Sequence, residues 1–531
     1  MKHPDKTTEP SVDGSNRKGN FRITDQAGSF ATGLAARSRV FDERRIPVTA
    51  TTTPGDSGTV FKITSAGSFY LTAAVIGESG KSGIEIAAGR VVLDLNGFGI
   101  GVQDGSTVAG CTASFNEDVG VLPGAGSTVN NCTISDNDGD GIRPGDDTAV
   151  TGCTVRKNGG SGIQAPAGNR ITGNLCDRNV AAGIRVLGSN NRIEGNNVTG
   201  NDRGLEIQAS ANTVAANVVY GNRDNYNISA GNQLNILLCQ LPESIDWPAS
   251  VQLAGLLTGV AGSNGITVNA SDVTIDLGGH TLLGVPGSLI AIEVTRNPSG
   301  QRANICVKNG TVRDWGGGGV DAGSAANGHY RELRLLSNGT SSLDAGLACG
   351  SNGVIVDCSA MNNVGPGIAG ANCCIRDCTV TGNGADGINV SSANIHDCMA
   401  FNNKNSGISA GWWSTIRECL ARNNGSDGIV VIGDCHVINN NSTTNEGAGI
   451  RVSRAGQFNR IESNHVSDNK SGIVVQSPIN LIIRNSAIHN ADFDSPGPVL
   501  GADYDIVPGN TVGPFAVDLN NDVNPHANYF P

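Results

Sequence analysis

A chain of 531 residues is too long for one ordinary hydrophobic core. Its net charge of −12 gives no basic face for phosphates, so nucleic acid is not an expected partner. The 74 glycines follow no triplet period and stand beside 38% hydrophobic residues, which excludes both collagen and a disordered chain and assigns glycine to many turns. No run approaches eighteen apolar residues, and residues 1–20 are polar without the apolar core of a secretory signal, so neither a membrane span nor classical export is read here.

In chain order, residues 1–45 form an N-terminal extension expected to be largely disordered, with Phe30, Leu34 and Phe41 spaced for one face of a helix. Residues 46–233 are read as a first unit. There GCTASFNEDVGV, NCTISDNDGDGI and GCTVRKNGGSGI place Cys111, Cys132 and Cys153 twenty-one residues apart, and Asn116, Asn137 and Asn158 follow each by five. The columns continue as Asn174, Asn196, Asn217 and as Asn179, Asn201, Asn222. Residues 234–510, the second unit, carry Cys358, Cys378, Cys398, Cys419, Asn440, Asn464, Asn485 in the first column and Asn363, Asn383, Asn403, Asn424, Asn445, Asn469, Asn490 in the second. The segment SGIEIAAGRVVLDLNGFGIGV aligns with NGITVNASDVTIDLGGHTLLGV, Asp94 with Asp276, so one unit is a tandem duplicate of the other. Segments 58–81 and 234–263, Trp247 included, are expected to cover each unit's open coil end, and residues 511–531 to form a tail or cap.

A period near twenty-one is too short for a pair of helices and holds three short strands with three turns. Strands of successive coils then stack in parallel at about 4.8 Å, and every column becomes a ladder of like residues. Ile355, Ile375, Ile395 and Ile416 form one inward ladder. The cysteines form another, since a free cysteine packs as a small hydrophobe. Asparagine suits a sharp turn because it tolerates left-handed backbone, and its amide can bond the coils on either side. Cys373, Cys374 and Cys378 lack partner histidines at zinc-site offsets.

By these columns, over residues 58–510, the chain resembles the parallel β-helix repeat proteins of the pectin-lyase-like superfamily, which holds pectate lyases, polygalacturonases, tailspikes and envelope proteins. The resemblance implies an all-β fold, a right-handed single-stranded parallel β-helix, here in two tandem duplicated units, and a family usually found outside the cell or in its envelope. It also implies an active groove around the first strand and the turn after it. The NTD, GHG and RIK tripeptides of polygalacturonases and the DPHD motif of alginate epimerases do not occur.

Just before the cysteine column the second unit reads Glu332, Asp357, Asp377, Asp397, Glu418, and one position earlier Arg331, Val356, Arg376, His396, Arg417. The first unit has Gly110, Asn131, Gly152, Gly173 and Gly195 in the acidic places, so the acids read as selected by something besides the fold. Asp357, Asp377 and Asp397 are candidate catalytic carboxylates of a polysaccharide lyase or glycoside hydrolase, which needs two acids about 5–5.5 Å or 6.5–9.5 Å apart. Arg331, Glu332, Arg376, His396, Arg417 and Glu418 are candidates to hold an extended, acidic polysaccharide, with Trp412, Trp413 and Tyr330 stacking on its rings. In DNDGDGIRPGDD, Asp136, Asp138, Asp140 and Asp147 match the spacing of a calcium loop, although Arg143 and Asp147 stand where a hydrophobic residue and a glutamate are wanted; calcium is the one candidate cofactor. The competing reading is an exposed ladder of ion pairs worth about 0–1 kcal/mol each, in a non-catalytic structural, spacer or fibre protein of the envelope that self-associates. Aromatic residues at 4% favour that second class.

Overall fold

The computed structural model describes residues 22–23, 45–73, 75, 82–94, 100–102, 104–297, 300–490, 503–516 and 524–529. The expected helix face of Phe30, Leu34 and Phe41 lies outside them. Every regular element among the described residues is a β-strand, most of them three to five residues long. Residues 1–233 and 234–531 are two compact units.

One coil of the second unit shows how the sequence builds the fold. Strand Ile388–Ser391 ends at Ser392, strand Asn394–His396 at Asp397, and strand Met399–Phe401 at Asn402. These three corner residues are left-handed, with φ of 50°, 54° and 58°. Each is followed by a buried residue, Ala393, Cys398 or Asn403. A single left-handed residue between two extended ones turns the chain sharply, and the next side chain is thereby aimed at the axis. Residues 404–407 then lead into Ile408–Ala410, one coil further on.

Counterpart strands pair in parallel. Ile355, Ile375, Ile395 and Ile416 stand in one register column and are fully buried, as the pattern predicted; each contributes roughly 1.5–3 kcal/mol of burial. Cys358, Cys378, Cys398 and Cys419 stand in register on successive coils beside them and are buried too.

The asparagine column works differently from the expectation. The left-handed residue is the one before it, as at Asn362, Gly382, Asn402, Asn423 and Thr444, while the ladder asparagine itself is buried. The backbone N–H and Nδ2 of Asn383 both donate to Asn403 Oδ1, and those of Asn403 to Asn424 Oδ1 at 3.1 and 3.0 Å. The second Nδ2 proton of Asn403 goes to the Val380 carbonyl of the previous coil. Each amide is thus used fully in a place where water cannot replace it. The column closes where the N–H and Nδ2 of Asn490 donate to Asp503 Oδ1 at 3.0 and 2.9 Å. In the first unit Asn137, Asn158, Asn179, Asn201 and Asn222 are linked in the same way. A third ladder, absent from the sequence reading, occupies the remaining corner through Asn169, Asn191 and Asn212 in the first unit and Asn459, Asn480 and Asn510 in the second.

Glycine is required beside the ladder. A β-carbon on Gly387 would lie 2.7 Å from Asn403 Nδ2 and 2.6 Å from the Gly407 carbonyl oxygen, which explains the glycine–isoleucine pair repeated at 387, 407 and 428. The opening segments contribute coil strands: Ala249–Leu253 and Leu257–Thr258 pair in parallel with the next coil, as does Thr59–Ile63.

Candidate functional site

Strands Val354–Val356, Cys374–Arg376, Asn394–His396 and Thr415–Arg417 stack in register and form one outward face of the second unit. Because alternate side chains point inward, two outward columns remain: Val354, Cys374, Asn394, Thr415 and Val356, Arg376, His396, Arg417. On one flank stands the corner column Asn352, Asn372, Ser392, Trp413, with φ of 57°, 50°, 50° and 58°. On the other stands Asp357, Asp377, Asp397, Glu418, with φ of 52°, 56°, 54° and 57°. A groove of about 560 Å³ runs over the four coils, lined by Asn352, Asn372, Asn394, Thr415, Trp413 and Arg417 among others.

The structure brings the acidic and basic columns together on this face. Arg376 pairs with Asp377 at 3.0 Å, His396 Nδ1 with Asp397 at 2.9 Å, Arg417 with Glu418 at 3.2 Å and Arg331 with Glu332 at 3.8 Å. Each acid therefore meets the base next to it in its own coil, and Asp357 follows Val356 instead. The carboxylates are exposed, so each pair is worth about 0–1 kcal/mol. The fold does constrain these positions: all five are left-handed. Aspartate tolerates that backbone, as do the glycines and Asn131 that fill the same corner of the first unit at φ 49–66°. The aspartates thus have a conformational reason to be there, which Glu332 and Glu418 do not share.

The two tryptophans divide. The Trp412 ring lies where a side chain on Gly433 would be and is half-buried, whereas Trp413 is 68% exposed beside the groove. Their ring centroids are 6.1 Å apart with a 46° tilt. Tyr330 is not available to stack on a ligand, because it fills the inward column above Val307 and is fully buried. The corner column Asn352, Asn372, Ser392, Trp413 was missed in the sequence. Its signal was present: the same spacing of twenty or twenty-one, one residue before the small residues Gly353, Cys373, Ala393 and Ser414.

The four aspartates of the calcium-loop pattern are not gathered into one ligand set. Asp136 and Asp147 sit at two different corners of the coil, both left-handed at φ 56°. Asp140 accepts the Ser161 N–H on one oxygen at 2.7 Å and the Arg143 guanidinium on the other at 2.8 and 3.0 Å. Asp138 follows the ladder residue Asn137, its N–H bonded to the Asn116 carbonyl. No group of three His, Cys, Asp or Glu side chains among the described residues is placed to hold a metal ion. No helix among them is long and apolar enough to cross a membrane.

The sequence model of the family described as "Right handed beta helix region" matches residues 62–189 and 407–506, and the described residues of both stretches form strands paired in parallel from coil to coil. The described coils have the fold of a right-handed parallel β-helix. No curated protein sequence matches it. Among solved structures this β-helix is similar to the A-module of the mannuronan C-5 epimerase AlgE6 of Azotobacter vinelandii, at 14% identity and a TM-score of 0.41 over 56% of this chain and 89% of that one. It is also similar to the Dettilon tailspike protein, at 14% identity and 0.33 over 56% and 62% of the two chains. A third is the periplasmic alginate epimerase AlgG, at 11% identity and 0.27 over 76% and 77%.

Proposed function

We propose that this β-helix binds an extended polysaccharide along the outward face of residues 352–418. The observation that carries the reading is Trp413. It presents an exposed indole on left-handed backbone, at a corner where the three preceding coils place Asn352, Asn372 and Ser392. For a bulky side chain that conformation costs about 1–2 kcal/mol, a penalty asparagine largely escapes, and strain retained at an exposed position points to use rather than to packing.

The chemistry around the indole suits a sugar polymer. An aromatic face stacks on the apolar side of a pyranose ring. The amides of Asn352, Asn372 and Asn394 and the hydroxyl of Thr415 offer neutral donors and acceptors for sugar hydroxyls. Arg376 and Arg417 supply positive charge for uronate groups, Asp377 and Glu418 keep that charge locally balanced, and His396, held at Asp397, adds a ring nitrogen for a sugar hydroxyl. Repetition of the face at about 4.8 Å per coil suits a ligand that is itself a repeat. The ion pair that closes each of these three acids favours binding over cleavage. The same reading puts the chain in the envelope or outside the cell.

Two variants test it. Trp413→Ala and the double variant Asp377→Ala, Asp397→Ala are compared with the parent for retardation in gels containing alginate, pectate or a neutral glucan, and for release of reducing ends or unsaturated products. Binding of at least one polymer by the parent, weakened about tenfold or more by Trp413→Ala, supports the reading. Equal mobility of parent and variants in every gel overturns it, and product release by the parent that the double variant loses would make the face an active site.

A further inference from the structure

We propose that Cys349 and Cys373 are a dithiol that peroxide oxidises to a disulfide beneath the groove. All fourteen cysteines are free thiols, and most are accounted for by packing. Those of the stacked column donate to the carbonyl two residues back: Cys358 to Val356 at 3.3 Å, Cys378 to Arg376 at 3.1 Å, Cys398 to His396 at 3.3 Å, Cys419 to Arg417 at 3.2 Å.

Cys349 and Cys373 are placed differently. They come from different parts of the coil: Cys349 from strand Leu347–Ser351, Cys373 from the corner one coil on. The register partner of Cys349 is Gly370. A β-carbon on Gly370 would collide with Cys349 Sγ and lie 3.6 Å from Cys373 Sγ, and one on Gly353 would lie 3.2 Å from Cys349 Sγ. The two sulfurs therefore share a space that these glycines leave open. Access is also particular, since Cys373 lines the groove wall between Asn372 and Cys374. The contact with Cys373, and after it burial, raises the Cys349 thiol above its ordinary range, while the same contact lowers that of Cys373. Cys373, the thiol on the groove wall, is the one that peroxide reaches, and Cys349 behind it is the resolving thiol.

The step balances. The Cys373 thiolate attacks one peroxide oxygen, giving a sulfenic acid and releasing hydroxide, which takes up the proton that Cys373 lost. Cys349 sulfur then attacks the sulfenic sulfur, and the departing hydroxide leaves as water with the Cys349 proton. Two thiols lose two protons and two electrons, and hydrogen peroxide becomes two waters.

The folded full-length chain is treated with hydrogen peroxide, alkylated and mapped by mass spectrometry. The expected result is loss of two of its 14 thiols, with one peptide linking Cys349 to Cys373. Cys349→Ser and Cys349→Ala each abolish the linkage and leave Cys373 as the one oxidised thiol of the pair, and Cys398→Ser, a buried control of the stacked column, keeps the linkage. Retention of all thiols by the folded parent overturns the proposal. So does a first linkage within the column Cys358 to Cys419, or one made through Cys374. Because no glycan enters the assay, the outcome is independent of the proposed binding function.

Discussion

Asn383 donates its backbone N–H and its side-chain amide to the same oxygen, Asn403 Oδ1, at 3.1 and 2.9 Å. The two residues are twenty apart in sequence, and the bond joins one coil to the next. Asn403→Ala leaves the Asn383 N–H and the Val380 carbonyl buried without partners, and the expected loss is about 2–4 kcal/mol in urea unfolding. Its neighbour gives the contrast. Asn402 is exposed and left-handed at φ 58°, so Asn402→Gly should change stability by less than about 0.5 kcal/mol. Equal effects at the two positions would refute the division of labour between corner and ladder.

At Trp413 stability and binding should move in opposite directions. Trp413→Asn relieves the left-handed strain at an exposed corner and is expected to raise unfolding free energy by about 1 kcal/mol, while polysaccharide retention falls with that of the alanine variant. A variant less stable than the parent would show that the indole is held there by packing.

Gly433 holds Trp412 in place. A β-carbon at 433 would lie 2.2 Å from Trp412 Cζ3 and 2.6 Å from its Cε3, so Gly433→Ala must displace a half-buried indole or shift the coil, at a cost of roughly 1–3 kcal/mol. Since Trp412 and Trp413 are adjacent, with centroids 6.1 Å apart, polysaccharide binding should weaken as well. Thermal unfolding and gel retardation on one preparation check both expectations.

The pH response carries a sign that one carboxylate makes visible. Arg460 at 2.5 Å, with Arg484 at 2.9 Å, holds the buried Glu462 carboxyl below its ordinary value of 4.5. A group depressed in the folded state contributes stability that is complete above its unfolded value and is lost as pH falls through the folded one. The parent should therefore lose more stability than Glu462→Gln between pH 5 and roughly pH 3, and the two urea midpoints should converge. Parallel curves across that range would show that the pair adds nothing.

Much of this architecture was legible in the sequence because a solenoid turns spacing into contact. Cys358, Cys378 and Cys398, or Asn363, Asn383 and Asn403, are neighbours simply because they recur every twenty residues. What could not be seen was which member of an adjacent pair takes the left-handed turn. Asn402 and Asn403 are chemically identical, and only the closed coil decides that the first bends and the second bonds. The aspartates of the acidic column were legible as a column, but their backbone reason was not, since a positive φ leaves no trace beyond a bias toward Asp, Asn and Gly. The groove was half legible. Its charged flank stood out by charge, whereas Asn352, Asn372 and Ser392 look like ordinary turn residues until Trp413 appears in their series.

The link from Asn490 to Asp503 gives the ladder a direction. Every amide in it both receives and passes on, but a carboxylate only receives. Copying a coil anywhere upstream preserves the relay, because each inserted asparagine brings the donor its successor needs. Beyond Asp503 the relay has nothing left to hand over. For that column, growth of the protein by duplication is open along the body and closed at this residue, a full stop written in a single side chain.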